Sequence, residues 1–268
     1  MVKILVVNLQ LDLMPKPSTP RPEGGEDGGL REGLLAWDRQ YQEKGRIWRG
    51  APAKLPELPA GSKVLELGCG NGKTLAAMLR RPWRIAALDL SPLAVRLGRD
   101  LAEETVFGPR PSCGRYPSCD GHPTRGRPSP QTPNRSIPDF VAADAVQLPF
   151  REEAFDAVIA FHILGHLREG DRRRAAAEAA RVLKSAGRLF FLEFGVEDMR
   201  AGKGVEVEPM TFKRGGGVIT HYFSEEEAFQ LFDILSPVSI RTDRRLTIIR
   251  GIDHLRSEVA AEFIKQED

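Results

Sequence analysis

A turn of alternating glycines preceded by an acid is the group of residues in this sequence best suited to bind a ligand. Glycine occupies positions 68, 70 and 72, and Glu66 lies two residues before the first of them. Alternating glycines let the backbone turn tightly and approach a ligand without interference from Cβ atoms. Apolar residues before the turn predict a buried strand, and the residues after it predict a helix whose first amide groups point at the same place. The sequence therefore predicts a cofactor pocket at the end of a strand.

Two kinds of cofactor compete for this turn. A nicotinamide or flavin site expects glycine at the sixth position of the motif and a pyrophosphate at the helix N-terminus, but this chain has Lys73 at that position. The carboxylate of Glu66 would repel a pyrophosphate, whereas it would attract the ammonium or sulfonium of S-adenosylmethionine. The sign of the charge therefore favours S-adenosylmethionine.

Two further acids follow the next two predicted strands. Asp89 ends the apolar segment 84–89, about 20 residues after the first glycine, which is the spacing at which a carboxylate binds the hydroxyl groups of a ribose. Asp144 ends the apolar segment 140–143, where it and Ala145 are placed to hold an adenine amino group. Three acids at three successive strand ends predict a nucleoside-containing cofactor.

With these residues, the chain resembles the class I S-adenosylmethionine-dependent methyltransferases over most of residues 37 to 265. The resemblance assigns the methionine part of the cofactor to Glu66, Gly68 and Gly70, the ribose to Asp89 and the adenine to Asp144. The full predicted cofactor-binding set is Glu66, Gly68, Cys69, Gly70, Asn71, Asp89, Leu90, Asp144, Ala145 and Phe161.

The order of predicted elements indicates an α/β fold. Strands and helices alternate, with a helix predicted over residues 171–184 and a buried central strand over 188–194. The alternation predicts a Rossmann-like class I methyltransferase fold, in which a mainly parallel seven-stranded sheet carries helices on both faces. As in the resembling family, segments 238–242 and 259–265 would add an antiparallel terminal hairpin, although the spacing of the last segment is equally typical of a helix.

The predicted domain organisation is one methyltransferase domain, residues 30–268, after a partly flexible N-terminal extension, residues 1–29. Segment 107–138 is rich in proline, glycine and arginine, so it buries too little apolar surface to offset its ordering entropy and is predicted to be a disordered insertion. One interpretation is that its arginines contact nucleic acid, but the preferred interpretation is that the segment is a solvated loop.

Composition favours an ordinary cytoplasmic enzyme. The 268 residues, 41% of them hydrophobic, suffice for one large domain. No run of 18 apolar residues exists, so no membrane span is predicted, and the short apolar segment 2–7 lacks the features of a signal peptide. Three cysteines give no disulfide framework. Cys113, Cys119 and His122 suggest a metal site but lack the second pair of ligands that a tetrahedral zinc site needs, so no metal is predicted.

Methyl transfer from a sulfonium is an in-line displacement, in which the enzyme mainly holds the nucleophile near the methyl group. A general base is needed only for some nucleophiles. His162 and His166 after the fourth predicted strand, and His221 with Tyr222, are the predicted catalytic residues. The long connection 198–222, without evident secondary structure, is the predicted substrate loop.

A finer resemblance concerns the methyl acceptor. Scattered residues are similar to the methyltransferase-like family that makes 3-methylcytidine in transfer RNA, namely Trp37-Asp38-x-x-Tyr41, Glu193-Phe194-Gly195 with Asp198-Met199, Phe212-Lys213-Arg214, His221-Tyr222-Phe223 and Lys265. The resemblance implies a tRNA acceptor. Because the net charge is only +2, charge does not select among acceptors.

Several alternatives remain open at this point. The acceptor is tRNA or a small molecule with a ring nitrogen, carboxylate, thiol or hydroxyl nucleophile. The rival enzyme class is a nicotinamide oxidoreductase, and the rival non-enzyme is a cofactor-binding scaffold that stabilises or activates a partner. An activator subunit is a further possible partner.

Overall fold

The structure, a computed structural model, describes residues 5–7, 27–45, 47, 53–108 and 136–267. In chain order, the helices and strands of these residues are β1 (Leu5–Val7), α1 (Asp27–Lys44), β2 (Lys63–Leu67), α2 (Lys73–Met78), β3 (Arg84–Asp89), α3 (Pro92–Phe107), β4 (Asp139–Ala142), β5 (Phe155–Phe161), α4 (Glu169–Val182), β6 (Leu183–Phe194), β7 (Val205–Glu208), β8 (Thr211–Lys213), β9 (Ile219–His221), α5 (Glu225–Leu231), β10 (Ser236–Ile249) and β11 (Ile252–Ile264). A short 3₁₀ turn, Leu164–His166, follows β5.

The main sheet has the order β1-β4-β3-β2-β5-β6-β11-β10. The five strands from β4 to β6 run parallel, and β11 and β10 close that side as an antiparallel hairpin. These seven strands confirm the predicted fold class. On the opposite side, β1 pairs antiparallel with β4, so that Leu5 faces Ala142. This eighth strand is not predicted from the sequence.

Helices cover both faces of the sheet, as predicted. Neighbouring residues of a strand point to opposite faces, so Leu65 belongs to one core cluster and Val64 to the other. Helices α4 and α5 pack on the first face through buried alanines such as Ala175 and Ala228. Helices α2 and α3 pack on the second face through residues that include Leu75, Met78, Val95 and Ala102.

The boundary between α4 and β6 differs from the expectation. The helix ends at Val182, and β6 begins at Leu183, five residues before the predicted strand. Leu183 pairs with Phe155 of β5, and its carbonyl accepts a hydrogen bond from Lys265 Nζ (2.9 Å). These long-range contacts hold residues 183–187 in the sheet, and they are not visible in the local composition.

Two segments after β6 also differ from the expectation. The connection 198–222 contains β7, β8 and β9, which form a small three-stranded antiparallel sheet. The terminal hairpin is longer than predicted, because β10 and β11 pair along nearly their whole lengths. The last segment is therefore a strand and not a helix.

Several predictions lie largely or wholly outside the described residues. They concern most of the N-terminal extension 1–29, most of the insertion 107–138, and the residues weighed as a metal site, Cys113, Cys119 and His122. Among the helices that the structure does describe, none is long and apolar enough to cross a membrane.

Candidate active site

The glycine turn joins β2 to α2 and uses backbone conformations that favour glycine. The φ angles of Gly68, Gly70 and Gly72 are 68°, 53° and 84°, all in the left-handed region. A Cβ atom on Gly68 would lie 3.0 Å from Cβ of Ile163, and one on Gly72 would lie 2.5 Å from Cδ2 of Leu101. Both conformation and close packing therefore require glycine at this turn.

Two buried acids stand beside the turn at neighbouring strand ends. Asp89 accepts hydrogen bonds from the amide groups of Gly70 (2.8 Å) and Ser91 (2.9 Å), which fixes its carboxylate against the turn. Glu66 is 3% exposed, and its Oε2 makes no hydrogen bond within the described part of the chain. A buried oxygen without a partner is costly unless a ligand supplies one. Helix α1 joins this region through Asp38, which accepts a hydrogen bond from the Ser91 hydroxyl.

The pKa values of both acids are raised. Burial, with the charge of Asp89 as the next cause, raises the pKa of Glu66 to about 8. Burial also raises the pKa of Asp89 to about 6, although hydrogen bonds from Ser91 and Gly70 act in the opposite direction. Both shifts arise because a charge is poorly solvated away from water. A cationic group placed here would lower both pKa values again.

A cleft opens where these elements meet. The predicted residues that line it are Gly68, Asp89, Leu90, Asp144, Ala145, His162 and His166. Helix α1 contributes Trp37 and Tyr41 to the wall, and Val218 and Ile219 add a further side next to β9. The structure thus brings the ends of β2, β3, β4 and β5 to one cavity, as the strand order of the fold requires.

The remaining predicted cofactor residues lie next to the cleft and do not line it. Glu66, Cys69 and Asn71 are buried at the glycine turn, where Cys69 packs in the core. Gly70 reaches the cleft indirectly, since its amide group donates to Asp89. Phe161 packs against the core cluster on the α2 and α3 face.

His162 lies in the cleft with an unusual backbone conformation, because its φ is 55°. Its ring stacks on Phe194, with centroids 4.4 Å apart. Its Nδ1 is buried without a hydrogen-bond partner among the described residues and lies 4.0 Å from Glu193 Oε2, while its Nε2 lies 3.5 Å from Glu258 Oε1. Burial, followed by the nearby positive charges, lowers the pKa of His162 to about 3. The imidazole is therefore neutral at physiological pH.

His166 connects three parts of the cleft wall. Its Nδ1 lies 2.7 Å from the carbonyl oxygen of Ile219, and its ring meets Trp37 edge to face at 4.8 Å. Burial lowers its pKa as well. His166 thus holds the turn after β5, helix α1 and the small sheet together around the cleft.

His221 and Tyr222 are absent from the described lining of the cleft. His221 is buried between Thr211 Oγ1 (2.8 Å from Nδ1) and Glu227 Oε1 (2.7 Å from Nε2). The Tyr222 hydroxyl accepts a hydrogen bond from Arg214 (2.7 Å). The contact of His221 with Glu227 joins the small sheet to α5, whereas the contacts with Thr211 and between Arg214 and Tyr222 lie within or next to the sheet itself. The structure therefore brings only two of the four predicted catalytic residues into the cleft.

Glu193 is a functional candidate that the predicted site set omits. It is buried at the end of β6, and its Oε1 accepts a hydrogen bond from the Gly165 amide (3.0 Å). Burial raises its pKa to about 8, opposed by hydrogen bonds from the amides of the turn after β5. Glu193 therefore holds the turn that carries His162 and His166. Its position near the end of an apolar strand, like that of Glu66, is the feature of the sequence that could have identified it.

The known proteins to which this chain is similar include tRNA methyltransferases and a demethylmenaquinone methyltransferase. The chain is similar to the tRNA (carboxymethyluridine(34)-5-O)-methyltransferase of Arabidopsis thaliana, with 32% identity over 56% of this chain and 28% of that protein. It is similar to a demethylmenaquinone methyltransferase of Thermobifida fusca, with 32% identity over 56% of this chain and 50% of that protein. It is also similar to the tRNA N(3)-methylcytidine methyltransferase Mettl2 of Drosophila melanogaster, with 27% identity over 85% of this chain and 67% of that protein. The chain thus spans half or less of the first two relatives.

A solved structure and a family model agree on the fold. A SAM-dependent methyltransferase of Methanosarcina mazei superposes with a TM-score of 0.60 at 20% identity, covering 79% of this chain and 95% of that one. Residues 37–233 match the family model described as a methyltransferase domain, which is most of the chain. The predicted fold class and family are therefore confirmed, and this chain belongs to the methyltransferase domain family.

Proposed function

We propose that this chain binds S-adenosylmethionine in the cleft and transfers its methyl group to a base of transfer RNA. The observation that carries the proposal is the pair of buried acids, Glu66 and Asp89, beside a glycine turn that opens onto the cleft. When bound, the cofactor supplies a methyl group on a positively charged sulfur that leaves as a neutral thioether. The residues of the chain bind, orient and exclude water around that group.

The residues present fit this cofactor. Glu66 Oε2 is a buried acceptor without a partner, and a methionine ammonium group is a suitable donor for it. The carboxylate of Asp89 accepts hydrogen bonds from the amide groups of Gly70 and Ser91 and has lone pairs left for ribose hydroxyls. Asp144, Ala145 and Leu90 line the same cleft and form the proposed adenine end.

We assign His162 and His166 to the acceptor side of the cleft. A neutral His162 adds no positive charge next to the sulfonium, so it does not oppose cofactor binding. The rings of Trp37 and Tyr41, stacked with centroids 5.9 Å apart, give the cleft an aromatic wall suited to a planar base. A ring nitrogen with a free lone pair needs no general base, so neither histidine has to remove a proton.

Transfer RNA is the proposed acceptor because two of the relatives act on it by name, and the Drosophila relative matches 85% of this chain. The relative from Thermobifida fusca acts on a small molecule, so a small-molecule acceptor is the alternative outcome of the test. A catalytically inactive scaffold is the other alternative.

The test is to incubate the chain with S-adenosylmethionine that carries a labelled methyl group and a total cell extract, and to separate RNA, protein and small molecules. We expect the label in the tRNA fraction with the wild type and not with Asp89→Ala. Glu57→Gln, a change at an exposed carboxylate, is the matched control and should label as the wild type does. Label in small molecules alone would refute the RNA acceptor.

The same assay addresses the remaining alternatives. Intact cofactor binding without label in any fraction would favour a scaffold. The activator subunit stays a proposal, which is tested by repeating the assay with purified tRNA in place of the extract. Label in the extract but not in purified tRNA would support a required second protein.

A further inference from the structure

A group of arginines lies beside His162 at the end of β6 and along the terminal hairpin. We call Arg200, Arg245 and Arg256 the arginine shelf. Phe194, on which His162 stacks, also lies under two of them, with its ring centroid 3.8 Å from Cζ of Arg200 and 5.7 Å from Cζ of Arg256. Arg245 pairs directly across the hairpin from Arg256. The shelf is therefore one aromatic ring away from the cleft.

Positive charge exceeds negative charge at the shelf. Asp198 is buried and binds both Arg200 Nε (2.7 Å) and Arg256 Nε (2.8 Å). Although burial opposes the shift, these hydrogen bonds lower the pKa of Asp198 to about 2, so it stays ionised. The second acid, Glu258, lies 3.8 Å from Arg245 Nη2. Three guanidinium groups thus face two carboxylates, which leaves an excess of one positive charge.

A fourth guanidinium increases that excess. Arg214 donates to the backbone carbonyl of Arg200 (2.6 Å) and to the Tyr222 hydroxyl (2.7 Å), and neither of these acceptors is an acid. With Arg214 included, this region holds four arginines and the two acids Asp198 and Glu258, a local charge of about +2. Charge of one sign beside a cleft attracts ligands of the other sign.

The shelf also keeps donors available in fixed positions. Asp198 uses only the Nε of Arg256, whose two terminal nitrogens make no hydrogen bond within the described part of the chain. Arg245 is 65% exposed, and its one described ion pair is the long contact with Glu258. Guanidinium groups oriented by a buried carboxylate suit bidentate contacts to phosphate oxygens. If Arg256 served only to neutralise Asp198, a second arginine, Arg245, would not be needed opposite it on β10.

We propose that the arginine shelf binds a backbone phosphodiester of the RNA acceptor next to the nucleotide that enters the cleft. This inference rests on the proposed RNA acceptor. The shelf fixes the strand, while the cleft selects the base, which is the usual division between phosphate and base contacts. Because phosphate contacts release counterions, binding through the shelf depends on salt concentration.

The test is equilibrium binding of fluorescein-labelled bulk tRNA to the full chain over a range of salt concentrations. We expect Arg245→Ala to weaken binding about tenfold at low salt and to reduce the slope of log affinity against log salt by about 1. Arg256→Lys keeps a charge opposite Asp198, so the fold is preserved while the forked geometry is lost, and we expect it to weaken binding in the same direction.

Arg81→Ala is the matched control. Arg81 precedes β3, at the amino ends of the parallel strands, whereas Arg200 follows the carboxyl end of β6. Arg81 pairs with exposed Glu57, so its loss should leave tRNA affinity and salt slope unchanged. Equal losses of tRNA affinity in Arg81→Ala and Arg245→Ala would overturn the proposal. They would show that tRNA responds to the overall positive charge of the protein and not to a specific site at the shelf. Wild-type binding by both shelf variants would overturn it as well.

The outcomes separate this proposal from the proposed function. Methyl label in tRNA with unaltered binding by the shelf variants would refute the shelf and leave the function standing. Label in small molecules only, together with shelf-dependent tRNA binding, would refute the proposed acceptor and leave an RNA-binding shelf.

Discussion

The substitution Glu66→Gln tests the central feature of the site, a buried acid whose Oε2 has no hydrogen-bond partner among the described residues. Burial and the charge of Asp89 raise the pKa of Glu66 from 4.5 to about 8 in the folded chain. The folded state therefore favours the protonated acid, and ionisation of Glu66 opposes folding. This cost begins as the pH rises through 4.5, grows up to about pH 8 and is complete above it. Glutamine has the same size and never ionises, so Glu66→Gln without cofactor should be more stable than the wild type.

The magnitude follows from the two pKa values. Linkage gives a cost of about 4 kcal/mol at pH 8 and about 1 kcal/mol at pH 5. For a chain of this size, 1 kcal/mol corresponds to roughly 3 °C in Tm. We therefore expect Glu66→Gln to melt about 10 °C above the wild type at pH 8 and only a few degrees above it at pH 5, as measured by scanning calorimetry.

Cofactor binding should change in the opposite direction. The wild type should gain about 2.7 kcal/mol from S-adenosylmethionine at one hundred times its Kd, and Glu66→Gln should lose most of this gain because an amide does not attract an ammonium group. Glu57→Gln, at an exposed position, should match the wild type in both measurements. A stability difference that does not depend on pH, or wild-type affinity of Glu66→Gln for the cofactor, would refute the reasoning.

Three further outcomes are expected. Affinity for S-adenosylmethionine should rise between pH 6 and 8 as Asp89 and Glu66 ionise, which calorimetric titration measures; constant affinity would contradict their pairing with a cation. Gly165→Ala would place Cβ 2.9 Å from Glu193 Oε2, so methyl transfer should fall while cofactor affinity persists. His221→Ala should lower the free energy of unfolding by about 2 kcal/mol yet retain activity below its Tm, and loss of activity in folded protein would make His221 catalytic.

The glycine turn and the acids beside it could be predicted from the sequence because their requirements are local. The glycines at 68, 70 and 72 need left-handed conformations, and these leave a direct trace in the sequence. An acid at the end of an apolar segment is equally visible, as at Glu66 and Asp89. Parallel strands place such residues at one edge of the sheet, so no long-range contact had to be guessed.

The surroundings of His162, His166 and His221 could not be predicted to the same depth because long-range contacts form them. Glu193 acts on Gly165, 28 residues away, and His221 is held by Glu227 and Thr211 inside a small sheet whose strands have three or four residues. Strands this short have too few residues for an alternating apolar pattern to be recognised in the sequence. The roles of His162 and His166, the cytoplasmic location and the absence of a metal stay predictions.

Helix α1 and the terminal hairpin determine how far this domain can be truncated at each end. The region matched by the family begins at residue 37 and ends at 233, whereas α1 starts ten residues earlier and the terminal hairpin lies wholly beyond the end of the match. A fragment trimmed to those limits would keep the glycine turn but lose Gly33 and Ala36 from the cleft wall. It would also expose the backbone of β6 as a free edge, open to pairing with other molecules. Expression of the domain for crystallisation should therefore retain both flanks.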